Sequence, residues 1–215
     1  MTEKVYKQQV EWVLEKTNFR RDGFFLEMGA TDGVDRSNTL LLEREYGWIG
    51  ILAEPDRRYR EVLPYIRPNS SIEFDCVWST TGETKIFYQS NGLDDQRSTL
   101  EEYSTLGDAP RIEKDWKTYP VQTISLTDLL KKHNAPKYID YFSLDTEGSE
   151  LEILKAFDFE QYQFGCITVE HNQRKSYMKE VRDFLYSKGY YIPKDSEGIF
   201  EWDDGFVSDH IVKAL

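Results

Sequence analysis

Short apolar runs alternate with amphipathic stretches along most of the chain. Residues 24–28, 49–53, 72–78, 138–144 and 164–169 read as buried strands, being short, apolar and bounded by turn-forming residues. Segments 39–46, 57–66, 126–133, 150–156 and 175–188 carry apolar residues at helical spacing and read as helices. A further helix is expected within residues 1–20, where Val5, Val10, Trp12, Val13 and Leu14 recur with the same period. Strands alternating with helices predict an α/β fold with a mostly parallel sheet and helices on both faces. The tail departs from that rhythm. Gly189-Tyr190-Tyr191-Ile192 and Gly205-Phe206-Val207 predict a closing antiparallel hairpin, and one domain over residues 1–215 is expected.

The alternation is interrupted between residues 84 and 125. Strands are expected at 85–88 and 121–124, with a long polar stretch between them. A connection of that length in a compact domain reads either as a functional lid or as a tolerated surface insertion. Residues 90–119 are therefore the candidate substrate lid. Arg97, Ser98, Thr99, Tyr103, Arg111, Trp116 and Tyr119 offer aromatic faces and guanidinium forks suited to a sugar, or alternatively anchors for the loop.

Charge narrows the partners. A net charge of −12 over 215 residues argues against nucleic acid or an anionic membrane surface as the main partner. No apolar run is long enough to span a bilayer, and the charged N-terminus lacks the apolar core of a signal peptide, so a cytoplasmic location is expected. Cys76 and Cys166 stand alone in strand-like runs, which predicts a reduced, buried pair and neither a disulfide nor a zinc site.

The stretch FFLEMGATDGVDRSNT runs from a strand through glycines to a helix start, the arrangement that holds nucleotide-like ligands at the carboxyl ends of an open sheet. Thr31 stands where a dinucleotide fingerprint needs its second glycine, which disfavours a nicotinamide oxidoreductase. Glu27 lies inside the first strand and, as a buried acid, needs a partner. Glu54 ends the second strand, where an acid can accept both ribose hydroxyls. Asp75 lies in the third, where it suits an adenine amine. A ligand with an ammonium, a ribose, an adenine and a sulfonium, S-adenosylmethionine, matches acids in those places.

Three segments sharpen this: FLEMGATDGVDRSNTLLLE, GWIGILAEPD and YIDYFSLDTEGSELEILKAF. Together they resemble the FkbM family of S-adenosylmethionine-dependent methyltransferases, over about residues 23–191. The resemblance implies a Rossmann-like seven-stranded methyltransferase sheet and methyl transfer to a hydroxyl of a sugar or natural-product scaffold. It also implies that Glu27, Gly29, Asp32 and Gly33 hold the methionine end, Glu54 the ribose, and Asp75 with Cys76 the adenine. Ala30, Asn38, Pro55 and Asp145 are grouped with these as cofactor contacts.

A hydroxyl must lose its proton to attack, so a base or a metal is expected near the methyl. The fourth and fifth strand ends supply Asp145, Glu147, Glu170 and His171. Asp145, Glu170 and His171 are the catalytic candidates, His171 because its reference pKa is near neutrality. Glu147 is equally suited to a helix start, and Glu150 and Glu152 are assigned to a solvated helix face. Asp145, Glu170 and Asn172 could instead hold magnesium, but no metal is preferred. The acceptor is expected to be a small molecule or a glycan. A non-catalytic cofactor-binding module of the same fold is the alternative.

Overall fold

A computed structural model describes residues 3–91, 97–105 and 116–209. The chain opens with α1 (Glu3–Lys16), β1 (Phe24–Met28), α2 (Leu40–Tyr46), β2 (Ile49–Ala53), α3 (Leu63–Ile66) and β3 (Ser71–Glu73). It continues through β4 (Cys76–Trp78), β5 (Thr84–Gln89), β6 (Thr99–Leu100), β7 (Lys117–Ser125) and α4 (Leu126–Lys132). It closes with β8 (Tyr138–Leu144), α5 (Glu150–Ala156), β9 (Gln163–Glu170), α6 (Lys175–Ser187), β10 (Tyr190–Tyr191) and β11 (Asp203–Ser208).

Seven strands form one sheet in the order β10-β11-β9-β8-β1-β2-β3. The pairs β9–β8, β8–β1, β1–β2 and β2–β3 are parallel, and β11 runs antiparallel to both β9 and β10. The mostly parallel sheet and the closing hairpin thus take the expected form. Side-chain alternation explains why both faces are covered. On β1, Leu26 and Met28 join a core with α4, α5 and α6, while Phe25 packs on the opposite face with Trp12, Val13 and Leu42. Cys76 and Cys166 are buried free thiols. Among the described residues, no helix is long and apolar enough to cross a membrane.

The segment 72–78, expected as one strand, is two. The run breaks at Phe74-Asp75, and β4 leaves the main sheet to begin a second one, in the order β4-β7-β5-β6. The cause lies in Glu73, a buried acid that accepts from the backbone N–H groups of Phe74 (2.9 Å) and Asp75 (3.0 Å) and so turns the chain there. The polar stretch between 85–88 and 121–124 also holds more structure than expected. Thr99–Leu100 pairs antiparallel with β5 at the edge of the second sheet, and β7 starts at Lys117. Arg111 and much of the expected lid lie outside the described residues.

Candidate active site

An open cavity lies at the carboxyl ends of β1, β2, β8 and β9, closed on one side by β4, β5 and the Arg97–Leu100 segment. That position is where open α/β sheets place their ligands. Gly29, Glu54, Pro55, Cys76, Asp145 and Glu170, all candidates from the sequence, are on its wall. Thr31, Arg36, Asp56, Tyr59, Val77, Phe87 and Glu147 are there too.

Gly29 shows why this loop needs a glycine. Its φ is +78°, and a Cβ there would stand 2.1 Å from the carbonyl oxygen of Asp145. The β1 loop therefore lies directly against the end of β8, which no other residue permits. Gly33 packs elsewhere: a Cβ on it would meet Leu63 and Arg67, so its job is contact with α3 and its environs, away from the cavity.

Glu27 is corrected from a ligand contact to a clamp behind the loop. It is 2% exposed and is not on the cavity wall. One oxygen accepts from the Asn38 N–H at 2.6 Å; the other accepts from the Ser37 and Thr39 hydroxyls. Burial raises its pKa, and the Arg67 guanidinium opposes that. Arg67 is wholly buried. It pairs with Glu43 at 2.7 Å, approaches Glu27 at 3.9 Å, and donates to the Gly33 carbonyl and to the Ser37 and Thr39 hydroxyls. Asn38 ties the same loop to β8 by donating to Ser143 at 2.9 Å. Ala30 is buried in the core, and Asp32 accepts from Val34 and Asp35 N–H groups, closing the loop's own turn. Asp75 faces Lys132 at 3.8 Å instead of the cavity, because the chain turns at Glu73.

Glu54 stays at the cavity. Its two oxygens accept from Thr31 N–H and Asp56 N–H, both at 2.8 Å, and each keeps a lone pair. Burial pushes its pKa up to about 7. Asp56 is neutralised by Arg58 at 2.6 Å and accepts from Ser98 at 3.2 Å; Thr99 donates to the Glu147 carbonyl at 3.0 Å. The Arg97–Leu100 segment is thereby moored to the ends of both β2 and β8.

The opposite wall is acidic. Asp145 and Glu170 are hydrogen-bonded to each other, and both pKa values are driven well up, first by burial and then by neighbouring carboxylates. Two carboxyl groups in contact cannot both ionise freely, so the pair holds a shared proton. Asn172 donates to Glu170 at 2.7 Å and to Glu147 at 3.4 Å. Glu147 takes a left-handed backbone, φ 60°, which presents its side chain to the cavity. Glu150 corrects the expectation of a solvated face: it is fully buried, accepting from the Thr146 and Gly148 N–H groups at 2.9 Å and from the Tyr177 hydroxyl. Glu152 is exposed, as expected.

His171 is not brought to the cavity. Its Nδ1 accepts from Gln173 N–H at 3.0 Å, and its Nε2 faces Asp204, which Arg182 holds through two 2.7 Å bonds. Burial lowers its pKa. Asn172 offers its amide N–H to the acids, not its oxygen. Asp145, Glu150 and Glu170 bring one oxygen each within 4.8 Å of one another, but Glu150 is already engaged by four donors. That set does not fit magnesium's need for several free oxygen ligands.

The sequence profile described as the methyltransferase FkbM domain matches residues 27–192. No curated protein matches the chain by sequence. Among solved structures, a METTL16 MTase domain aligns with a TM-score of 0.52 at 12% identity, covering 95% of this chain and 67% of that one. A human methyltransferase 10 domain containing protein aligns with a TM-score of 0.50 at 12% identity, covering 95% and 81%. At such identities the likeness is one of fold.

Proposed function

The chain belongs to the FkbM methyltransferase domain family, and on that premise we propose that it moves a methyl group from S-adenosylmethionine to a hydroxyl of a sugar or natural-product acceptor. The observation that carries this reading is the Asp145–Glu170 pair on the wall of a cavity at the carboxyl ends of the parallel strands, whose loop glycine lies against β8.

The residues suit the cofactor. Glu54 keeps a lone pair on each oxygen for two ribose hydroxyls. Ala53, Val77, Phe87 and Leu100 give apolar wall for an adenine. Gly29 leaves room beside the Asp145 carbonyl for the amino-acid end. When bound, S-adenosylmethionine supplies an electrophilic methyl on its sulfonium.

The chain's own contribution is alignment and a proton acceptor. Holding two reactants in register lowers a barrier by up to several kcal/mol. Within the acid pair, burial and mutual repulsion keep one proton shared between Asp145 and Glu170, and Asn172 holds Glu170 in place by donating to it. The ionised member of the pair then takes the hydroxyl proton of the acceptor. The neighbouring Glu147 and the Thr99 segment line the same side and meet the acceptor.

Calorimetric titration of the purified protein with S-adenosylmethionine, S-adenosylhomocysteine and NAD, with and without magnesium, tests the cofactor. Saturable binding of the first two alone is expected; mass-spectrometric screening of hydroxylated acceptors follows. Tight NAD binding, or no binding of either sulfur ligand, would reject the reading.

A further inference from the structure

Arg36 is a cation on the cavity wall that no acid among the described residues neutralises. Among the described residues it makes no hydrogen bond or ion pair, yet it lines the cavity beside Thr31 and Gly29. Its backbone is left-handed, φ 58°, a conformation that costs a non-glycine residue about 1 kcal/mol. The surroundings hold it there. On one side, Asp32 accepts from the N–H groups of Val34 and Asp35, each at 2.8 Å. On the other, Ser37 is bound to Glu27 and Arg67 at 3.1 Å. A strained residue between two pinned points presents its side chain in a restricted direction.

Charge complementarity identifies what it meets. The wall carries Glu54, Asp56, Asp145, Glu147 and Glu170 against two arginines, Arg36 and Arg97. S-adenosylmethionine has one anionic group, its carboxylate, which the acids of β8 and β9 repel. Arg36 shares its loop with Gly29 and Thr31, whereas Arg97 arrives from the edge of the second sheet. A guanidinium fork pairs with a carboxylate through two hydrogen bonds. We infer that Arg36 holds the methionyl carboxylate of S-adenosylmethionine, an assignment that rests on the cofactor reading given above.

The test compares S-adenosylmethionine with its decarboxylated form, which keeps the adenosine, sulfonium and amine and lacks only the carboxylate. Dissociation constants are measured calorimetrically for the wild type, R36A and R36K. The ratio of the two constants, decarboxylated over intact, is expected to fall about tenfold in R36A, with decarboxylated binding unchanged and R36K between the two. An unchanged ratio, or equal weakening of both ligands, would overturn the assignment; so would an unchanged ratio with a raised acceptor KM, which would move Arg36 to an anion on the acceptor. Failure of the wild type to bind either ligand would instead overturn the cofactor reading and this inference with it.

Discussion

Two loops meet at the cavity, and each is organised by a buried glutamate used in a different way. In the loop after β1, Glu27 accepts from residues 37–39, and Arg67 stands behind it as a cation bound into the same network. In the loop after β8, Glu150 accepts from Thr146 and Gly148, and its outer oxygen meets only the Tyr177 hydroxyl. The first loop is electrically compensated and built to stay put. The second adds its charge to Asp145, Glu170 and Asp203, none of which pairs with a lysine or arginine among the described residues. Asp203, opposite Glu170 in the β9–β11 register, is itself pushed up to about 7, mainly by burial. Compensation gives a scaffold, and its absence gives groups that keep their protons well above the usual carboxylate range.

The sharpest way to break the comparison is to remove the cation. Arg67→Met leaves Glu27 and Glu43 buried beside an apolar side chain, and is expected to cost about 3–5 kcal/mol of stability by urea unfolding. A loss below about 1 kcal/mol would mean that the first loop is not held electrostatically.

Changing the acid pair should do the reverse. Asp145→Asn and Glu170→Gln are each expected to lower turnover by about 10²-fold or more, the usual range for a lost general base, while stability holds or rises. The sign follows from linkage. Both folded pKa values lie above the unfolded ones, so the pair's stabilising contribution is complete below the unfolded carboxyl range and is lost as pH climbs through the folded values. Relative to wild type, Asp145→Asn should therefore gain stability on going from pH 4 to pH 8, measured as the difference in unfolding midpoints. A loss over that interval would contradict a repelled, proton-sharing pair.

How much of this was readable in the sequence depends on what each residue faces. The parallel strands, the closing hairpin and Glu54 were legible, because strand ends and periodicity report position directly. Glu27 was legible as a buried acid in need of a partner, but the partner, Arg67, lies on the far side of β2 and leaves no local signal. Glu150 had a signal that was missed. It shares helical spacing with Ile153, Leu154 and Phe157, which are buried, so its place on the inner face followed from the same period that defined α5. His171 was singled out by its titration range alone, and a reference pKa says nothing about direction. Asp75 was misplaced because the turn at Glu73 rotates the chain before the strand's expected end.

Between the two loops stands Glu54, compensated by two backbone N–H groups and by the nearby Arg58 charge. Its pKa near 7 is raised, chiefly by burial, and ribose hydroxyls favour the ionised form. Lowering the pH protonates it in the free protein, so affinity for S-adenosylhomocysteine should weaken about tenfold between pH 8 and pH 6. Glu54→Gln should bind more weakly at pH 8 and lose that dependence. A wild-type affinity flat across this interval would detach Glu54 from the ribose.

The smallest effect expected is at Glu150, and it separates the two designs most cleanly. An amide at this position still accepts from the loop N–H groups through its oxygen, and its NH₂ can donate to the Tyr177 hydroxyl, so Glu150→Gln should cost only about 1 kcal/mol of stability. Its charge, however, helps to hold up the pKa values of both Asp145 and Glu170. Removing that charge lets the pair ionise at lower pH, which moves the acid limb of the pH–rate profile downward while turnover at high pH is kept. Glu27→Gln lacks that lever, because the Glu27 charge lies off the cavity wall and is bound into the first loop's own network beside Arg67. If both variants shift the acid limb alike, the second loop has no electrostatic role distinct from the first; if only Glu150→Gln does, its glutamate is both a staple and a source of field.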